Sequence, residues 1–234
     1  MTWYTDAMSA LTPIAPDLWV ATRPLKLPVG DIGTRMTVVR LPDGGLFLHS
    51  PVRLDAETKQ ALDAIGPVRC VVAPSKVHHL YAGDYAAAYP EARLFAAPGL
   101  PEKRKDLHFH AVLDDDPPPE WRGAIEQHVF AGSPLMNEVV FFHPTSRTLL
   151  LTDLAFNMVQ PLRGRARVFC WVVGALGRFG PHRIVRLGIR DRRAARASLQ
   201  RILAWDFDRV VVTHGEVLES GGKAALAEAF AFLG

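Results

Sequence analysis

Short apolar runs separated by polar breaks dominate this chain, and their period shifts between two and about 3.6. Residues 17–22, 36–41 and 45–49 are apolar or alternating and predict strands. Pro42-Asp43-Gly44-Gly45 separates the last two, a hairpin signal because Asp-Gly and Gly-Gly tolerate positive φ. Residues 55–65 place apolar side chains at helical spacing behind Asp55, a predicted N-cap. Residues 70–73 predict a buried strand, 79–89 a helix and 94–97 another strand closed by Pro98-Gly99.

A polar, proline-rich stretch at 101–122 reads as a surface excursion rather than a linker, because strand signals of the same character resume beyond it. Residues 125–130, 138–143 and 148–152 form a second strand set, with a turn at 144–147. Helical spacing returns at 191–205 behind Asp191, followed by a strand at 209–213 and a closing helix at 222–233. No short internal repeat occurs. The order predicts one α/β domain over residues 1–234, with two similar halves and helices outside.

Composition narrows the class. Hydrophobic residues at 49% and charged residues at 22% suit a globular protein with a large core. The net charge of +3 comes mostly from arginines scattered along the second half, so an anionic partner is permitted but not demanded. No basic stripe with interleaved aromatics is evident, which argues against nucleic acid. Cys70 and Cys170 each lie inside apolar runs and read as buried thiols of a reducing compartment. Residues 1–16 include Asp6 and no continuous apolar stretch, unlike a secretory leader. The longest apolar run, 168–176, is far shorter than the roughly 20 residues of a transmembrane helix. A cytoplasmic location without a transmembrane segment is expected. The run itself reads as a core helix or homodimer face in preference to a lid or membrane contact.

Three apolar strands run directly into metal-capable side chains. Residues 71–77 lead to His78 and His79, residues 149–152 to Asp153, and residues 210–213 to His214. Strand ends are rigid and their loops converge, so ligands collect there. His and Asp are common partners of zinc and other borderline cations. Gly215 lets the backbone turn tightly after His214.

At these residues the sequence resembles the metallo-β-lactamase superfamily. The opening Ile14-Ala-Pro-Asp-Leu-Trp-Val and Gly44-Gly-Leu-Phe-Leu resemble that family's first hairpins. The stretch beginning at His79 is similar to its helix start, Val139 through Asp153 to its second sheet, and Thr213-His214-Gly215 to its last ligand. The resemblance implies an αβ/βα sandwich of two mixed β-sheets with helices on the outer faces. It also implies a divergent branch carrying a His-His pair. Where the family reads H-x-H-x-D-H, this chain reads Pro74-Ser75-Lys76-Val77-His78-His79. The loop carrying the next family histidine falls at Gly132 to Asn137, which holds none. The ligands of one metal are therefore missing, and those implied for the other are His78, His79, Asp153 and His214.

A degenerate site of this kind would hold one zinc or iron ion at most, or none. Lys76 would occupy the space and charge of the missing ion, and in an enzyme would stabilise a developing oxyanion. His49 follows a strand and is expected behind the ligands, orienting an imidazole. Glu138 could reach the site, although a surface carboxylate is the plainer reading. The plainer reading of His78 and His79 is a helix-start pair, and that of Asp153 and His214 a hydrogen-bonded pair. Two functions follow: a metal-dependent hydrolase acting on a small molecule, or a non-catalytic binding or scaffolding module, homodimeric in one form of that reading.

Overall fold

The computed structural model describes residues 10–234. The N-terminal reading against a secretory leader therefore falls largely outside the described residues. The first half contains β1 (Thr12–Ala15), β2 (Leu18–Arg23), β3 (Lys26–Leu27), β4 (Gly30–Asp31), β5 (Thr34–Arg40) and β6 (Leu46–His49). After these come α1 (Ala56–Ile65), β7 (Val68–Ala73), α2 (Ala82–Ala88), β8 (Arg93–Ala96) and β9 (Ala111–Val112). The second half contains β10 (Glu126–Val129), β11 (Val139–His143), β12 (Thr148–Leu151), β13 (Phe156–Asn157), α3 (Gly164–Val172) and β14 (Phe179–Gly180). It closes with α4 (Arg183–Gly188), α5 (Arg192–Ala204), β15 (Arg209–Val212), α6 (Gly222–Ala229) and a 3-10 turn at Ala231–Leu233.

Two mixed sheets result. The first has the order β1-β2-β5-β6-β7-β8-β9, antiparallel up to β6 and parallel beyond it. The second has the order β10-β11-β12-β15, with β15 parallel to β12. The boundary between them falls in the proline-rich excursion, as the strand spacing predicts.

Burial on both faces explains why the central strands read as continuous apolar runs. In β7, Cys70 and Val72 point between the sheets, whereas Val71 and Ala73 pack outward with Leu62 of α1 and Tyr85 of α2. In β11, Val139 and Phe141 point inward, and Val140 and Phe142 pack outward with Leu199 and Ile202 of α5 and Leu226 of α6. The layers are helix, sheet, sheet, helix: the expected αβ/βα sandwich.

Two sequence readings need adjusting. The excursion is not purely surface, because Trp121 is fully buried between the sheets. Its ring lies 4.9 Å from Phe47 and 4.6 Å from Phe95. Its indole N–H donates to Gln127 at 2.9 Å, which makes so deep a burial tolerable. The helix expected from residue 79 begins only at Ala82; the His79 carbonyl closes a tight turn with the Ala82 N–H at 3.2 Å and also accepts from Arg104 at 3.1 Å. Of the apolar run 168–176, Cys170 is buried but Val168, Trp171 and Val172 are exposed.

Candidate metal centre

The ends of β7, β12 and β15 meet at one edge of the sandwich. Parallel pairing sets Leu151 opposite Val212, so Asp153 and His214 emerge side by side, each two residues past the same rung. β7 delivers His78 from the facing sheet. After β7, the Ser75 hydroxyl accepts from the backbone N–H groups of Val77 and His78 at 3.2 and 3.0 Å, tightening that turn.

One ligand atom each from His78, Asp153 and His214 lies within 4.8 Å of the others, and all three residues are buried. His78 Nε2 is 3.3 Å and His214 Nε2 3.6 Å from Asp153 Oδ1. Two donors about 2.1 Å from a tetrahedral zinc lie about 3.4 Å apart, so two edges of the triangle already match a metal polyhedron. A donor set of two imidazoles and one carboxylate suits zinc or another borderline cation.

The surrounding groups orient these donors. His214 Nδ1 donates to the Gly33 carbonyl at 2.7 Å, which leaves the Nε2 lone pair facing Asp153. His78 Nδ1 lies 3.0 Å from the Ser50 hydroxyl. Gly215 sits at φ +96, where a Cβ would come within 2.0 Å of the Asn157 carbonyl oxygen. Only glycine allows β13 to press this closely against His214.

Glu138 is fully buried, and the plainer surface reading does not hold. Its two carboxylate oxygens accept from the backbone N–H groups of Thr152 at 2.6 Å and Leu154 at 2.8 Å. The carboxylate thus grips the chain on either side of Asp153 and fixes where that side chain points.

The electrostatics follow from burial and proximity. Burial and then the Asp153 charge push the Glu138 carboxyl up to about 7. Burial would also raise Asp153, but the His78 charge and hydrogen bond outweigh it, and its pKa falls to about 2. Burial works against a charged His78, yet the Asp153 carboxylate prevails and holds its pKa above the ordinary value. His214, depressed by burial and then by His78, falls to about 4 and stays a neutral imidazole near neutrality.

The other expected residues lie differently. His79 is not one of the three clustered ligands; its Nδ1 is 3.0 Å from Arg104, which also binds its carbonyl. Burial, then Lys103 and Arg104, depress its pKa to about 4. Lys76 does not line the cavity over the cluster; its ammonium donates to the Pro134 carbonyl at 3.3 Å. The lysine that does line it is Lys103. His49 is buried with its ring 5.4 Å from Phe141, and neither ring nitrogen has a hydrogen-bond partner among the described residues. It is Ser50, the next residue, that reaches His78.

Sequence reasoning passed over His182, which lines the same cavity. Its ring packs edge-on against Phe156 at 4.7 Å, and Phe156 in turn packs against His214 at 4.6 Å. His182 follows only the two-residue β14, which has no apolar run to mark it in the sequence, so the strand-end signal is silent there. The cavity holds about 570 Å³, ordinary for a small-molecule site. Its walls are mainly apolar, with Leu25, Ile32, Phe169 and Val185 among them, and the polar cluster lies at the strand ends.

Two facing mixed sheets, outer helices and a His-Asp-His group at the shared edge define a protein with the metallo-β-lactamase-superfamily fold. Similar solved structures include metallo-β-lactamases from Pontibacter korlensis (14% identity, 95% of this chain and 97% of that chain, TM-score 0.65) and Hirschia baltica (13%, 95% and 96%, 0.64). A third, from Pseudomonas aeruginosa and solved in the mono-zinc form, shares 13% identity over 95% of this chain and 92% of that chain, with TM-score 0.62. Within this fold the chain belongs to the family described as Domain of unknown function (DUF4336), whose model matches residues 18–162. That match includes His78 and Asp153 and ends before His214. No curated protein matches the sequence.

Proposed function

We propose that this protein is a metal-dependent hydrolase with a single ion, zinc or iron, held by His78, Asp153 and His214. The observation that carries the reading is the triangle of donor atoms, two of whose edges have tetrahedral length while outside hydrogen bonds aim the His214 imidazole inward. Three protein ligands leave a coordination position open, as catalytic zinc sites require. The position of His79, held by Arg104, supports that openness.

A bound ion would supply Lewis-acid polarisation of a carbonyl or phosphoryl oxygen and an acidified water. The chain's own residues shape the rest. Glu138 fixes the loop that carries Asp153, Ser50 and the Gly33 carbonyl fix the two imidazoles, and the apolar walls exclude water from a bound small molecule. Lys103, lining the cavity, is better placed than Lys76 to balance negative charge on a substrate. The absent first-metal ligands limit the protein to one ion. Two buried free thiols accord with a reducing compartment, and we assign the cytoplasm.

A second reading has its own support. His78 and Asp153, 3.3 Å apart with pKa values displaced in opposite directions, form a satisfied ion pair without any metal. A non-catalytic module would keep that pair. Metal analysis of protein purified without added metal or chelator decides between them. Close to one equivalent, lost in Asp153→Asn, supports the hydrolase reading. No binding at micromolar zinc selects the module, and two tightly bound equivalents overturn the single-ion site.

A further inference from the structure

The exposed large hydrophobic side chains are concentrated on one face. Among the described residues all but Val112 and Val159 belong to the segments that frame the cavity mouth. These are β3 with Leu27, the loop after β7 with Val77 and Leu80, the loop before β11 with Leu135, and helices α3 and α4. Trp171 on α3 is 70% exposed and Leu187 on α4 is 84% exposed. Neither helix is loosely placed. Ala166 and Cys170 of α3 are buried, a Cβ on Gly30 would meet the Ala166 nitrogen at 2.5 Å, and Arg183 of α4 donates its backbone N–H to the Val173 carbonyl at 2.7 Å. The outward apolar side chains are a property of a well-packed surface, and patches of this kind mark contact sites.

Charge is segregated on the same segments. From Arg163 to Arg190 the sequence carries seven arginines and no acidic residue, in a chain of net charge +3, so the remainder is net −4. All seven are exposed, and none forms an ion pair among the described residues. Arginines that read as dispersed along the sequence are thus gathered on the segment that also carries exposed apolar side chains, although Arg178 and Arg186 line a second cavity beside Phe232.

We propose that this face docks on the surface of an anionic lipid bilayer, with Trp171 and Leu187 entering the interfacial region and the arginines meeting lipid phosphates. Apolar tips amid cationic side chains are the composition that binds such interfaces. No described helix is long and apolar enough to cross a membrane, so the contact is peripheral. A second copy of the chain would be a poor occupant, because a two-fold interface sets the same arginines against each other. Nucleic acid would meet the arginines but give the exposed aliphatic side chains no partner.

The test is vesicle co-sedimentation of the full chain at low salt, in a chelator so that the readout is independent of any metal. Vesicles are phosphatidylcholine alone or phosphatidylcholine mixed with phosphatidylglycerol. Binding is expected only to the mixed vesicles. Reversing Arg163, Arg165 and Arg167 to Glu should weaken it on the order of a hundredfold. Replacing Trp171 and Leu187 with Ala should weaken it roughly tenfold or more, with melting temperature unchanged because both side chains are exposed. Absence of binding, equal binding to neutral vesicles, or indifference to both variants overturns the proposal. So does duplex DNA binding that is stronger than vesicle binding, or a dimer that the Ala variants dissolve.

Discussion

Replacing Gly215 with alanine tests whether the close approach of β13 to the last strand positions His214. The added Cβ would lie 2.0 Å from the Asn157 carbonyl oxygen and 2.4 Å from its carbon, so one backbone must retreat by more than about 1 Å to reach van der Waals contact. Two hydrogen bonds span that contact, Asn157 N–H to the His214 carbonyl at 3.0 Å and Glu216 N–H to the Asn157 carbonyl at 2.9 Å. Losing them costs about 1–3 kcal/mol each where the groups stay buried. The left-handed backbone adds about 1–2 kcal/mol for a residue with a Cβ. The expected loss is about 3–8 kcal/mol, a large share of the roughly 5–15 kcal/mol that holds a domain folded. Gly123→Ala is the control: φ is +82 but nothing lies within 4 Å of its Cβ, so only the backbone cost of about 1–2 kcal/mol applies. Urea denaturation of both variants with equal m-values gives the comparison, and zinc titration of the folded fraction should show Gly215→Ala impaired and Gly123→Ala unaffected. If the two variants differ by less than about 1 kcal/mol, the strand yields easily and the argument that glycine positions His214 fails.

Glu138→Ala leaves the Thr152 and Leu154 amides buried without their acceptor and should destabilise by about 2–5 kcal/mol. It should also weaken zinc binding, since Asp153 is no longer held, and both effects are read by thermal melts with and without zinc. Asp55 caps α1 and takes a hydrogen bond from Arg23; burial alone would raise its pKa, but the bonds from Thr58 and Arg23 outweigh it and lower it. A carboxyl depressed in the folded state contributes stability that is present above its unfolded value and is lost as pH falls through the folded one. Asp55→Ala should therefore cost about 1 kcal/mol at pH 7 and almost nothing near pH 2, as followed by urea unfolding at the two pH values.

Much of this architecture was legible before any coordinates. The Asp55 and Asp191 caps, the Pro42–Gly45 turn and the apolar runs correspond to α1, α5, the β5–β6 hairpin and the central strands within a residue or two. Those signals are local, and local chemistry sets them. His78, Asp153 and His214 were visible because a rigid strand delivers each of them. The sequence hid what depends on packing across the fold. Arg104, 25 residues from His79, hydrogen-bonds that ring outside the His78–Asp153–His214 cluster, and Glu138 reads as a surface carboxylate until the 151–154 loop is seen wrapped around it. Trp121 looks like part of a polar excursion because its neighbours in sequence are charged, whereas its neighbours in space are aromatic. The seven arginines from Arg163 to Arg190, with no acidic residue among them, are present in the sequence, but only the fold shows that the same helices carry exposed apolar side chains beside the cavity.

The hydrogen bond between His214 and the Gly33 carbonyl joins residues 181 positions apart, and within the same span Arg35 donates to the Val212 carbonyl, 177 positions away, at 2.6 Å. A contact of such sequence separation forms late, since the loop entropy is lost before the bond is gained. His78, Asp153 and His214 therefore converge only when the final strand has joined β12 and the two sheets have closed on each other. An ion binding there would find no partial site on a growing or partly unfolded chain. Its affinity would be spent wholly on the finished molecule, slowing unfolding and withholding the metal from misfolded copies.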